Sequence, residues 1–158
     1  MENEKYEELQ QQIEDKEKQI EILQNDIRGL EADMERYRMR RFAAILEKAN
    51  TFRNKYYLDY SSYFNVVYFC YCKNISESHN GGIGIEYKCI EISQSNSIRF
   101  YETTTTTIFS MEFFDKIIIL NKEQAKEIYN EINKTICEEQ TVKDLFGYFK
   151  NMYNSIKS

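Results

Sequence analysis

Three cysteines and the only histidine of the chain fall within a short stretch, in the order Cys, Cys, His, Cys. Thiolate and imidazole are ligands that Zn²⁺ prefers, so Cys70, Cys72, His79 and Cys89 are the first candidates for chemistry. The first pair, however, is C-x-C inside a predicted strand, whereas zinc-binding pairs usually have about two to four residues between them. Such cysteines share one strand face and commonly pack in a core. We therefore predict core cysteines, with no metal and no cofactor.

Other patterns that resemble catalytic or phosphate-binding sites are weak. His79 lies in a polar turn, and the sequence does not pair it with a nucleophile. The glycine-rich stretch 80–84 lies between two predicted strands, whereas phosphate-binding loops lead into a helix N-terminus. Only Glu86, Glu91 and Glu102, on neighbouring predicted strands, keep an enzymatic alternative open. We predict no catalytic residue and a protein that is not an enzyme.

Charge is distributed unevenly along the chain. Residues 1–35 hold four basic and twelve acidic residues, whereas residues 36–55 hold seven basic residues and one acid. Aromatic residues lie among these cations, and this combination can neutralise phosphates and stack on bases. The candidate contacts to nucleic acid or to a protein partner are Arg36, Arg38, Arg40, Arg41, Arg53, Lys55, Tyr57, Tyr63 and Tyr71. The chain as a whole is acidic, with a net charge of −5, which makes nucleic acid the second choice.

The elements that position these residues begin with a heptad repeat. Apolar residues recur at alternating spacings of three and four from Tyr6 to Tyr37, with one polar break at Lys16. A stripe this narrow needs a partner helix. Isoleucine at one heptad position and leucine at the other favours a parallel two-stranded coil, although the flanking charges leave an antiparallel one open. The residues predicted to dimerise are Leu9, Ile13, Ile20, Leu23, Ile27, Leu30 and Met34.

A single helix is predicted over residues 2–53, since no proline interrupts it. Its apolar stripe shifts near residue 42, and the shifted stripe is predicted to pack onto the following domain through Phe42, Ile45, Ala49, Phe52 and Tyr56. We therefore divide the chain into a dimerisation helix with a basic end, residues 1–55, and a small interaction domain, residues 56–158.

Residues 56–120 read as four strands joined by short turns, which favours an antiparallel meander. The predicted strands are Tyr63–Lys73, a strand from Ile83 to Ile92, Ile98–Phe109 and Phe113–Leu120. The alternation of apolar residues flips between Cys89 and Ile90, which suggests a β-bulge. Two amphipathic helices follow, capped by Asn121 and by Thr141 with Asp144, and should cover one sheet face. The predicted fold class is α+β.

Alternation along these strands places aromatic residues on both sheet faces. It puts Tyr57 on the face of Phe69 and Tyr71, and Tyr56 on the face of Tyr68. Because the helices cover one face, part of this tyrosine-rich surface is expected to serve a protein interface.

No apolar run is long enough to span a membrane, and the N-terminus lacks the features of a secretory signal. We expect a cytoplasmic protein with reduced cysteines. The favoured hypothesis is a non-enzymatic module that forms a homodimer and binds an unidentified protein. A more specific version is a phage or mobile-element inhibitor of a host nucleic-acid-processing enzyme, such as an anti-CRISPR. The alternative is a nucleic-acid-binding adapter that uses the basic segment.

Overall fold

The structure is a computed structural model that describes residues 2–158, and the side chains of residues 3–102 and 104–158. It has the predicted α+β fold. The helices are α1 (Glu2–Asn50), α2 (Glu112–Lys116), α3 (Lys122–Ile136) and α4 (Val142–Lys157). The strands are β1 (Tyr56–Ser61), β2 (Val66–Glu77), β3 (Ile83–Ser93), β4 (Ser97–Ile108) and β5 (Ile118–Ile119).

The chain divides into two compact units, one that ends at Arg41 and one that spans Phe42–Ser158. The second unit begins before residue 56 because the last turns of α1 belong to its core. Ile45, Ala49 and Phe52 are each at most 4% exposed and pack with buried residues of β2 and β3. The predicted packing is thus confirmed for these three residues and for the half-buried Phe42, but not for Tyr56, which lies in β1 and packs against the core on the other sheet face. A domain cut at residue 56 would lack three core side chains.

The long helix α1 ends in a backbone reversal. It stops at Asn50, three residues earlier than predicted, and a tight turn follows. Asn54 then adopts a positive φ of 58°, a conformation that asparagine tolerates better than most residues. The amide of Asn54 donates to the carbonyl of Cys72, which fixes the entry into β1 against β2.

The sheet has five strands in the order β4-β3-β2-β1-β5, and β1 to β4 pair in chain order as an antiparallel meander. An antiparallel meander was predicted, but with the segment Phe113–Leu120 next to β4, whereas β5 lies at the other edge of the sheet beside β1. The predicted count of four strands was wrong at both ends. The first predicted strand, Tyr63–Lys73, corresponds to β2, and β1 before it was missed; a turn with Asn65 at φ 49° separates the two. The predicted strand Phe113–Leu120 is instead the short helix α2 followed by β5, which pairs with β1 through only two residues.

The turns follow the sequence signals, whereas the predicted bulge does so only in part. Gly81 adopts a φ of 75° in the loop between β2 and β3, and Gly82 lies so close to Ile108 that a Cβ would come within 2.9 Å of its carbonyl oxygen. A bulge is present near Cys89, but the extra residue lies on β4 and not, as predicted, on β3 between Cys89 and Ile90: Tyr87 pairs with Thr104, and Cys89 pairs with Tyr101. A second shift lies between Cys72 and Asn74.

Two cores lie on opposite faces of the sheet. Alternate residues of β2 divide between them, with Cys70 and Cys72 on one side and Val67 and Phe69 on the other. The end of α1 and α2 cover the cysteine face, and α3 and α4 cover the other, as predicted for the C-terminal helices.

Both C-terminal helices begin with the reciprocal hydrogen bonds of a capping box. The side chain of Asn121 accepts from the Gln124 amide at 2.8 Å, and Thr141 Oγ1 accepts from the Asp144 amide at 3.2 Å. These caps satisfy amide groups that would otherwise lack partners and fix where each helix starts.

Candidate functional site

The apolar heptad stripe is the main candidate site of the first unit. In the single chain each residue predicted to dimerise is exposed by between 51% and 66%. Helical geometry places these residues one above another along one face because their spacing alternates between three and four. The stripe therefore offers a continuous apolar face, and Lys16 interrupts it as predicted. Its amine donates to Gln19 Oε1 at 3.2 Å.

The arginines predicted to contact nucleic acid differ in their surroundings. Arg36 pairs with Asp33 at 2.9 Å, and Arg38 lies 3.9 Å from a carboxylate oxygen of Glu35. Arg40 and Arg41 are exposed and, among the side chains that the structure describes, have no acidic partner. These two cations are the ones most available for a ligand.

The remaining predicted contacts lie in the second unit. The Arg53 guanidinium donates to the carbonyl of Ile75 at 3.3 Å, so it also holds the turn after α1 to β2, while Lys55 is exposed. Tyr63 lies in the turn between β1 and β2 and is 86% exposed. Tyr71 is half-buried, with its ring centroid 4.8 Å from that of Tyr56.

Tyr57 does not belong to the surface set, because only 3% of it is exposed and it packs in the cysteine-face core. The prediction placed it with Phe69 and Tyr71, whereas the register sets it opposite Cys70. Tyr56 instead packs beside Phe69. The cause is the turn after β1, which resets the alternation that the sequence pattern carried across it.

An aromatic groove lies on the sheet face that α3 and α4 partly cover. It has a volume of about 700 Å³, and its lining includes Tyr56, Tyr71, Tyr129 and the exposed cation Lys88. The Tyr129 hydroxyl donates to that of Tyr56 at 3.4 Å, and burial raises the pKa of Tyr129. Phe100 on β4 forms another wall and is 61% exposed. The alternating aromatic residues of the strands predict an aromatic surface here, but they do not predict that it forms a groove.

The three glutamates of the enzymatic alternative do not converge. Glu91 lies on the opposite face of β3 from Glu86, because they are five positions apart on a strand. Glu86 pairs with Lys73 at 3.1 Å, and Glu91 accepts from the Tyr101 hydroxyl at 2.7 Å. Each of these two carboxylates therefore has its own partner.

The cysteines and the histidine divide between core and surface. Cys70, Cys72 and Cys89 are buried, as predicted, and His79 is exposed in its turn. Among the described side chains, those of residues 3–102 and 104–158, no three of His, Cys, Asp or Glu are grouped so that they could hold a metal ion. Two of the thiols nevertheless meet, since Cys70 Sγ lies 3.0 Å from Cys89 Sγ.

A small pocket of about 230 Å³ opens onto these two thiols. Tyr57, Tyr68 and Tyr87 line it together with Asp59, and burial raises the pKa of the Asp59 carboxyl. The Tyr87 hydroxyl lies 3.0 Å from Thr106 Oγ1. Burial, with the hydrogen bond to Cys89, also holds the pKa of Cys70 well above its usual value. This pocket has no signal in the sequence, because Asp59 belongs to β1, which lies before the first predicted strand.

Between residues 2 and 158, no helix is long and apolar enough to cross a lipid bilayer. Comparison of the chain with protein-family models, with curated proteins and with solved structures found no match in any of the three.

Proposed function

We propose that the protein is a non-enzymatic interaction module whose α1 stripe pairs with a second copy as a parallel coiled coil. The observation that carries this proposal is the exposure of seven apolar side chains at heptad spacing on one helix. Leaving such a face in water is unfavourable, and a partner helix of the same spacing buries it. The site of action is the cytoplasm of the producing or host cell.

A second copy is the best-matched occupant of the stripe. Isoleucine and leucine each keep to one heptad position, which is the distribution that two identical parallel helices pack well. In that arrangement Asp33 would meet Arg38 of the other copy favourably, whereas Asp26 would face Glu31. Lys16 of one copy would lie opposite Lys16 of the other, which lowers the stability of the dimer but fixes the register of the two helices.

The second unit is proposed to bind a macromolecular partner, most simply another protein. Tyr63 and Phe64 support this, since they are 86% and 68% exposed and in edge-to-face contact at 4.8 Å. Exposed aromatics are typical of the anchors at protein interfaces. In the inhibitor version of the proposal, this surface and the acidic helix together occlude a host nucleic-acid-processing enzyme.

Nucleic acid remains the alternative partner, favoured by the unpaired Arg40 and Arg41. It predicts an affinity that falls steeply with salt, because binding releases counterions from the phosphates. Replacing both arginines by glutamine should then weaken a gel shift measured at about 50 mM salt. If the wild-type chain gives no shift at that salt concentration, the alternative is excluded.

The main test is light scattering coupled to size exclusion on the full chain at low and high salt. If the proposal is right, the measured mass is twice the 19.0 kDa chain mass at both salt concentrations. Salt screens interactions between charges, and it does not weaken contacts between apolar side chains in this way. The mass of one chain at both would mean that the stripe serves a different helix. Pull-downs from candidate host lysates with wild type and a Tyr63→Ser/Phe64→Ser variant then test the second surface. A partner retained equally by both would contradict the proposed role of the two aromatics.

A further inference from the structure

We propose that Cys70 and Cys89 form a reversible disulfide across β2 and β3 when the protein meets a two-electron thiol oxidant such as hydrogen peroxide. The inference does not depend on the proposed dimer or on its partner. It rests on the register of the two strands, on the distance between the sulfur atoms and on the pocket that leads to them.

The strand geometry already satisfies most of what a disulfide requires. Cys70 and Cys89 are directly opposite in the antiparallel pairing of β2 and β3. Opposite residues in such a pair have Cα atoms about 4.5 or 5.5 Å apart, depending on the hydrogen-bond pattern. Both values lie within the range of about 4.4–6.8 Å that disulfides span. The sulfur atoms are 3.0 Å apart, so closing the bond needs about 1 Å of movement and no change of register.

The pocket gives a small oxidant a route to buried sulfur. The side chains of Cys70 and Cys89 are only 3% and 4% exposed, which keeps larger reagents away. The pocket of about 230 Å³ that they line has room for a molecule the size of hydrogen peroxide. Tyrosine hydroxyls and the Asp59 carboxyl at its walls can bind a polar guest of this kind.

The chemistry balances with one oxidant molecule for each pair of thiols. One sulfur, as thiolate, attacks a peroxide oxygen, which breaks the O–O bond and gives a sulfenic acid and water. The second thiol displaces the hydroxyl of the sulfenic acid, which forms the S–S bond and releases a second water. Two thiols lose two electrons and two protons, and one peroxide is reduced to two waters. The raised pKa of Cys70 keeps it mostly a thiol at neutral pH, so the first step is slow.

The other two cysteines lie outside this pair. Cys72 is opposite Tyr87, and its sulfur is 3.9 Å from the carbonyl of Asn74. Cys137 follows α3 and is exposed. Disulfides in reducing compartments are usually transient and responsive to redox conditions, which fits a bond that a thiol reductant reopens.

The experiment uses the full chain with Cys72→Ser and Cys137→Ser, which leaves only the proposed pair. After treatment with hydrogen peroxide and quenching, free thiols are counted in denaturant, and the protein is digested with trypsin without reduction. We expect free thiols to fall from two to none, and peptides 56–73 and 89–99 to appear joined. Dithiothreitol should restore both thiols. In the same background, Cys70→Ser is the matched control and should give no joined peptide.

Wild-type protein provides a second readout that does not depend on how the variants fold. Peptide 56–73 should again be joined to 89–99, and any band at twice the chain mass on a non-reducing gel should come from the exposed Cys137, in peptide 135–143. The inference is overturned if both thiols of the folded protein persist under peroxide, or if they become sulfinic acids without joining. It is also overturned if wild type joins these peptides but the Cys72→Ser/Cys137→Ser variant does not, since that would assign the bond to Cys72.

Discussion

The α1 stripe predicts that Ile20→Asp together with Leu23→Asp abolishes self-association. The two residues are three positions apart and occupy the two apolar positions of one heptad, and 54% and 60% of their surfaces remain exposed in the single chain. Full burial of such a side chain contributes ~1.5–3 kcal/mol, so burying the remaining half contributes ~1 kcal/mol. A dimer holds four of them, about 4 kcal/mol in all. At about 1.4 kcal/mol for each tenfold change, the dissociation constant should rise about a thousandfold.

Sedimentation equilibrium over a range of concentrations measures that dissociation constant directly. Ile22→Asp is the matched control, because Ile22 is 60% exposed on the same helix turn but lies off the stripe. It makes the same chemical change as Ile20→Asp and has the same effect on helix propensity. Its dissociation constant should therefore stay within a few-fold of wild type.

Two results would refute the assignment of the stripe. An unchanged dissociation constant in the double variant would mean that the dimer forms elsewhere. An equal loss in Ile22→Asp would mean that the helix is sensitive to any charge, with no defined apolar seam. Circular dichroism of each variant shows whether the helix content itself has changed.

Three further predictions concern single positions. Lys16→Leu should tighten the dimer at least tenfold by sedimentation equilibrium, because it fills the polar break in the stripe. Thr141→Ala should lower the free energy of unfolding by about 1 kcal/mol in urea, since it removes the cap on the Asp144 amide. Asp59→Asn should raise stability at pH 7 and leave it little changed near pH 3. Burial raises the pKa of Asp59 in the folded state above its value in the unfolded state. The wild-type free energy of unfolding therefore falls as pH rises from the unfolded-state pKa to the folded-state pKa. Urea unfolding at both pH values would contradict this if the two proteins showed parallel profiles.

Long periodic segments were predictable because their signals are local. The helices α1, α3 and α4 carry continuous apolar stripes, and the caps at Asn121 and Thr141 mark where two of them begin. The burial of the end of α1 in the core was also predictable, because the spacing of its apolar residues shifts to another helix face before Ile45.

Short elements were not predictable, because tertiary contacts decide them. The apolar run near residue 118 resembles a strand of ordinary length, yet only two of its residues pair with β1. Phe114 lies in a five-residue helix, and its ring is buried against Phe52, at 5.2 Å between centroids. That contact joins parts of the chain far apart in sequence, and no local pattern encodes it.

The candidate sites also differ in whether the sequence predicts them. The dimerisation stripe could be predicted because all of its residues belong to one helix. The thiol pocket could not, since it depends on which residue of β2 faces Cys89 and on β1 bringing Asp59 to the same face. A shift of one residue in strand register would move the side chains of a strand to the other face.

The order of strands in the sheet also sets how the chain reaches its fold. Strands β1 to β4 pair with their neighbours in the chain, so each of their hairpins closes over a short loop. Only β5 must return from a distance, since Ile119 pairs with Tyr57, 62 positions earlier. Closing that loop is the slow, entropically costly event in assembling the sheet. The chain contains no proline, so no prolyl isomerisation adds a phase of tens of seconds to refolding.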